Sequence, residues 1–164
     1  MKKLAYLSLG SNLGDRRASL EAAIARLAEV GTVQAVSSFY ETKPVEFTEQ
    51  PDFLNCAVAL ETEKMPRQLL KALLGIERGL GRRRPRAGQP RVKGPRTIDI
   101  DILLFGNSVV ETLELTIPHP ALHERRFALE PLAEIAPEAR HPVLKRTVRE
   151  MLNALPTGGV KRIG

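Results

Sequence analysis

The chain has 164 residues, 43% of them hydrophobic, with a single cysteine and a formal net charge of +6. That length buries a core without staples, and the lone Cys56 excludes an internal disulfide framework and suits a reducing cytosol. Ser8, Gly10, Ser11 and Asn12 interrupt the first apolar run before it reaches signal-peptide or membrane-span length, so the expectation is one cytoplasmic domain over residues 1–164 with a tail from 155 to 164 and no membrane partner.

In chain order, Leu4 to Leu9 predicts a first strand, and Gly10 to Asp15 supplies turn and N-cap chemistry. A helix follows, its stripe Leu20, Ala23, Ile24, Leu27 and Val30 at helical spacing and Gly31 as its C′ residue. Val33 to Tyr40 predicts a second strand, and Glu41 to Asp52, with Pro44 and Pro51, a long loop. Phe53 to Thr62 predicts a third strand that turns Leu54, Cys56, Val58 and Leu60 to one face and Phe53, Asn55, Ala57 and Ala59 to the other. Pro66 opens a second helix that buries Leu69, Leu70, Leu73, Ile76 and Leu80.

Next comes a segment with no regular structure. From Arg78 to Arg96 there are eight basic residues and no acidic one, and without them the chain would carry 17 basic residues against 19 acidic. Its glycines and prolines predict a flexible cationic loop suited to a polyanion, and the alternative is a solvated linker. The loop runs into Ile98-Asp99-Ile100-Asp101-Ile102-Leu103-Leu104-Phe105, which predicts a strand with Ile98, Ile100, Ile102 and Leu104 on one face and Asp99 and Asp101 on the other. Residues two apart on a strand lie roughly 6.5 Å from one another, so both carboxylates can converge on hard cations that share a polyphosphate. The same alternation also describes an ordinary strand with one wet face.

A short strand around Glu114 to Ile117, a Pro118-His119-Pro120 turn and helices near Phe127 to Ala133 and Thr147 to Leu155 complete the chain. The element order is that of an α+β fold, a ferredoxin-like αβα sandwich whose mostly antiparallel sheet has helices on both sides. No Gly-rich loop ending in Lys-Ser or Lys-Thr occurs, which excludes a P-loop kinase. His119 and His123 lack a third zinc ligand, Cys56 reads as packing on its apolar face, and His141 as a loop residue.

The block Gly94-Pro95-Arg96-Thr97-Ile98-Asp99-Ile100-Asp101-Ile102-Leu103 resembles the signature of the 6-hydroxymethyl-7,8-dihydropterin pyrophosphokinase family. So do Gly10-Ser11-Asn12-Leu13, Ser37 to Thr42, Gln50 to Asn55 and Pro118 to Phe127, in the family's order across nearly the whole chain. The resemblance implies transfer of pyrophosphate from ATP to the hydroxymethyl group of the pterin, release of AMP, and two magnesium ions. It implies further that Asp99 and Asp101 hold both metals, that Arg96 contacts the phosphates, and that Arg82 and Arg84 close over them. Glu77, Ile102, Thr116, His119 and Arg125 then match nucleotide contacts, while Thr42, Pro44, Val45, Phe53, Asn55, Asp99 and Phe127 match the pterin pocket. The chain departs from the family at Lys93, where tryptophan is common, and at Leu74, Glu114 and Pro120; its cationic loop is also longer.

The rival from another class is an RNA-binding module, since ferredoxin-like sheets with basic loops also build RNA-recognition domains. Against it, tryptophan is absent and the two Asp residues would repel phosphates without a metal, so the expected partners are ATP and the pterin, not nucleic acid.

Overall fold

The structure, a computed structural model, describes residues 1–43, 52–81 and 97–164. Strand β1 (Lys3–Ser11) leads into helix α1 (Arg16–Leu27), then β2 (Thr32–Val36), β3 (Tyr40–Thr42) and β4 (Phe53–Thr62), helix α2 (Pro66–Gly79) and β5 (Asp99–Phe105). A two-stranded ribbon of β6 (Val110–Glu111) and β7 (Thr116–Ile117), a 3-10 turn at Leu122–Glu124, helices α3 (Arg126–Ile135) and α4 (Val148–Asn153), and strand β8 (Val160–Arg162) follow.

The main sheet runs β5-β1-β4-β3-β8, with β2 also on β4, and every described pairing in it is antiparallel. Helices α1 and α2 cover one face, over a core of Leu7, Leu9, Leu20, Leu27, Val58 and Ile100. Helices α3 and α4 cover part of the other, over Ala57, Leu103, Leu104, Leu129 and Met151. This is the expected helix–sheet–helix sandwich, and β4 sends its side chains to the two faces as its alternation requires.

Five local expectations are corrected. First, β1 continues through Gly10 and Ser11 before the chain turns, and Asp15 then caps α1 by accepting the Ala18 N–H at 3.0 Å. Second, the strand expected from Val33 to Tyr40 is two strands. Between them the Ser37 N–H still donates to Ala57 O at 2.9 Å, but the return bond goes to its side chain, the hydroxyl accepting the Ala57 N–H at 2.8 Å and donating to Ser38 O at 2.7 Å. Third, the expected tail carries β8, which pairs with β3 along Tyr40–Arg162, Glu41–Lys161 and Thr42–Val160.

Fourth, Leu104 does not share the face of Ile98, Ile100 and Ile102. A register shift opposite Tyr6 and Leu7 places a bulge in β5, so Leu103 and Leu104 enter the α3/α4 core and Phe105 returns to the α1/α2 side. Gly31, moreover, is not a left-handed cap; it lets the chain pass so close to the Glu61 carbonyl that a Cβ would collide with it.

Candidate active site

Asp99 and Asp101 lie where the period-2 pattern put them, on one face of β5 and half-buried. Register extends this face across the sheet. Asp99 stands opposite Gly10, Gly10 opposite Asn55, and Asn55 opposite Tyr40, so a row crosses four strands; Asp101 begins the next row with Ser8 and Ala57. Adjacent strands are about 4.8 Å apart, which leaves Asp99 and Asn55 about 10 Å from one another with only glycine between them.

That glycine is a steric requirement. A Cβ built on Gly10 would come 2.7 Å from Asn55 Nδ2 and 3.6 Å from Phe53 Cδ1. The row between the carboxylate and the carboxamide therefore has no side chain of its own at Gly10, and the Asn55 amide and the Phe53 ring lean over that position. Two buried oxygens on the Asn55 side have no hydrogen-bond partner among the described residues: Asn55 Oδ1, and Thr42 Oγ1 two pairs further along on β3. Leaving such a group unmade costs ~1–3 kcal/mol, so each would gain from a partner. Thr42 faces Phe53 across the β3–β4 ladder, and Phe127 is half-buried at the start of α3, with the Arg125 guanidinium 5.5 Å from its ring centre.

On the other side of Asp99 lies His119. It follows a cis Ile117–Pro118 bond, and its N–H donates to Leu103 O at 3.0 Å on β5. Its Nδ1 accepts the Ala121 N–H at 3.1 Å, so the ring proton sits on Nε2. Burial pushes its pKa down to about 4 and the Arg125 charge adds to this, while Asp99 opposes them; the ring is neutral at physiological pH and remains a donor through Nε2. Arg125 and Asp99 thus act on His119 with opposite signs.

Other residues sit differently from a ligand shell. Glu77 is buried, and its Oε2 accepts the Ile100 N–H at 2.7 Å, so one carboxylate oxygen holds the outer edge of β5. The Ile102 side chain belongs to the α1/α2 core, on the face opposite the aspartates, which leaves its backbone at the strand edge for any contact with a nucleotide. Thr116 is exposed on the β6–β7 ribbon. Pro44, Val45, Arg82, Arg84, Lys93 and Arg96, and with them the cationic loop, lie outside the described residues.

Sequence reasoning missed Gly10 as part of the row and treated Tyr40 as an ordinary strand residue. Tyr40 OH donates to Glu134 Oε1 at 2.6 Å, and the Ser38 N–H donates to both Glu134 oxygens, tying α3 to β3 beside the site. The one available signal was the Gly10-Ser11-Asn12 block, since glycine late in a strand marks close approach.

Among the described residues no cluster of three or more His, Cys, Asp or Glu could hold a metal. Two carboxylates without a protein-only cage fit magnesium, which keeps several waters and takes phosphate oxygens from a nucleotide, and do not fit a structural zinc site. No helix among them is long and apolar enough to cross a membrane.

Comparison with known proteins identifies the family and the fold. A model of the family described as 7,8-dihydro-6-hydroxymethylpterin-pyrophosphokinase matches residues 6–137. A 2-amino-4-hydroxy-6-hydroxymethyldihydropteridine pyrophosphokinase of Bacillus subtilis is 48% identical over 138 residues, covering 82% of this chain and 79% of its own. The protein of the same name from Methylorubrum extorquens is 44% identical over 161 residues, covering 97% of this chain and 98% of its own. The folic acid synthesis protein fol1 of Schizosaccharomyces pombe is 40% identical over 97% of this chain, which spans only 21% of that protein. In fold, a crystal structure of Plasmodium falciparum HPPK-DHPS with SDX-DHP superposes with a TM-score of 0.74 at 17% identity, over 94% of this chain and 44% of that one.

Proposed function

The chain belongs to the 7,8-dihydro-6-hydroxymethylpterin-pyrophosphokinase family, ATP-dependent enzymes of folate biosynthesis, and we propose that it transfers pyrophosphate to its pterin substrate on the sheet face bearing Asp99, Gly10 and Asn55. The observation that supports this most directly is the row itself: a pair of strand carboxylates, a glycine with no side chain of its own, and then buried oxygens without partners among the described residues.

In this reading the pterin lies beside Asn55 and Thr42, with the Asn55 amide held over Gly10. Asn55 and Thr42 pair with its polar edge, and Phe53 and Phe127 line its faces, since a flat heterocycle rich in hydrogen-bonding groups needs stacking plus a few placed polar partners. The hydroxymethyl group then points towards Asp99. Asp99 and Asp101 are the residues that would hold two magnesium ions together with the ATP phosphates. Bound there, magnesium would neutralise phosphate charge and favour the hydroxyl as a nucleophile.

The pterin oxygen bonds to the β-phosphorus as the bond from that phosphorus to the α,β-bridging oxygen breaks; the hydroxyl proton is released to water, and AMP leaves with the bridging oxygen. Positioning and charge supply the catalysis, with no covalent enzyme intermediate. His119, donating from Nε2, and Arg125 are nucleotide-side partners, Ile102 and Thr116 contact the nucleotide through the sheet edge and the ribbon, and Glu77 supports the edge from behind. Arg82, Arg84 and Arg96 are assigned to the phosphates by family resemblance alone.

Product analysis tests the whole reading. Incubation with magnesium, ATP and 6-hydroxymethyl-7,8-dihydropterin should yield AMP and the pyrophosphorylated pterin, and chelation of the metal should stop it. ADP as the nucleotide product, or turnover undiminished by the chelator, would overturn it.

A further inference from the structure

Arg16 opens α1, and its guanidinium reaches two points distant in sequence. Nη1 donates to Asp52 O at 2.9 Å, and Nη2 to Glu41 Oε2 at 2.8 Å. Glu41 is the middle residue of β3, and Asp52 immediately precedes β4. Each is the chain neighbour of a pocket residue: Glu41 of Thr42, Asp52 of Phe53. Thr42 and Phe53 are themselves paired in register, at the end of a ladder of three residue pairs.

Alternation puts Glu41 on the α1 side of the sheet and Thr42 on the opposite side, with the aspartates. Arg16 therefore grips the ladder from behind the pocket and touches nothing in it. A planar guanidinium that spans two acceptors fixes their separation as an ammonium cannot. Both partners are only partly exposed, with 29% of the Arg16 side chain and 32% of the Glu41 side chain accessible, which limits screening.

We infer that Arg16 is a positioning residue for pterin recognition, holding the end of β3 to the start of β4 so that Thr42 and Phe53 keep the spacing the heterocycle needs. This rests on the pocket described above. Recognition by stacking and a few hydrogen bonds is sensitive to ångström shifts, whereas the nucleotide side, built on β5 and the His119 turn, shares neither contact with Arg16.

Steady-state kinetics with both substrates, alongside thermal melts, test it in Arg16→Met, Arg16→Lys, Glu41→Gln and Asn55→Ala. Arg16→Met should raise the pterin KM about tenfold, with the kcat and the KM for ATP close to those of the parent. Arg16→Lys should recover part of the loss, and Glu41→Gln, which keeps the Asp52 contact, should show a smaller increase. If Asn55→Ala raises the pterin KM and Arg16→Met and Glu41→Gln do not, the positioning role is wrong and the pocket stands. If Asn55→Ala itself changes only the ATP KM, the pocket assignment fails. Parallel loss of kcat and of both affinities, in step with the melting temperature, would reduce Arg16 to a stability role and overturn the inference.

Discussion

Asp99 and Asp101 are half-buried side chains on a strand face and take no part in either core. Asp99→Asn or Asp101→Asn should therefore abolish turnover while the melting temperature and far-ultraviolet circular dichroism stay near those of the parent; near-normal activity in either variant would remove the two-carboxylate metal site. Asn55 carries the opposite expectation. Losing it should leave magnesium-ATP affinity alone and weaken pterin binding by roughly 1–3 kcal/mol, the cost of a buried polar edge left unpaired, as calorimetry with each substrate would show. Gly10 ties the two ends of the row together. A methyl group 2.7 Å from Asn55 Nδ2 must push the amide aside, so Gly10→Ala should raise the pterin KM. The double variant Gly10→Ala/Asn55→Ala should be little worse than Asn55→Ala alone, because the added methyl then has no amide to displace.

At the scale of elements, β5 forms an edge of the main sheet, and the Glu77 side chain of α2 bonds its backbone. Removing the Glu77 carboxylate orphans the Ile100 N–H, so Glu77→Ala should cost ~2–3 kcal/mol in urea denaturation, and Glu77→Gln, which keeps an acceptor, less. The elements differ in how readily the sequence displays them. Strand β4 and the Asp half of β5 were legible because a strict two-residue period fixes both faces. Three features were not, because each depends on a partner distant in sequence. The break between β2 and β3 rests on the Ser37 hydroxyl taking over a ladder bond from Ala57. Strand β8, beside Gly158 and Gly159, has meaning only against the edge of β3. The bulge at Leu103 appears only in register with β1. The site follows the same rule: its carboxylates announce themselves by local pattern, whereas the Arg16 clasp joins residues 25 and 36 positions apart.

For the whole molecule, acid is the condition that acts on several of these parts together. His119 is held neutral in the folded protein down to about pH 4, against an ordinary value of 6.5, so the unfolded chain binds a proton the folded chain refuses. Stability should fall as the pH drops below 6.5, and this loss accumulates until about pH 4. His141, also lowered by burial and by His123, acts in the same sense. Burial acts to raise Glu134, but hydrogen bonds from Tyr40 and Ser38 outweigh it and hold the group low, so its contribution disappears as the pH falls through the carboxylate range. A melting temperature that declines from pH 7 towards 4, with the upper part of the decline reduced in His119→Gln, is the expected result; a flat profile would contradict it. The bulge in β5 has a further consequence, for cooperativity. One strand gives Ile100, Ile102 and Phe105 to one core and Leu103 and Leu104 to the other, so neither helical layer can peel away without loosening the strand that anchors both. The two cores should melt as a single foldon, with the β5 amides that bond to β1 exchanging with deuterium only when the entire molecule opens.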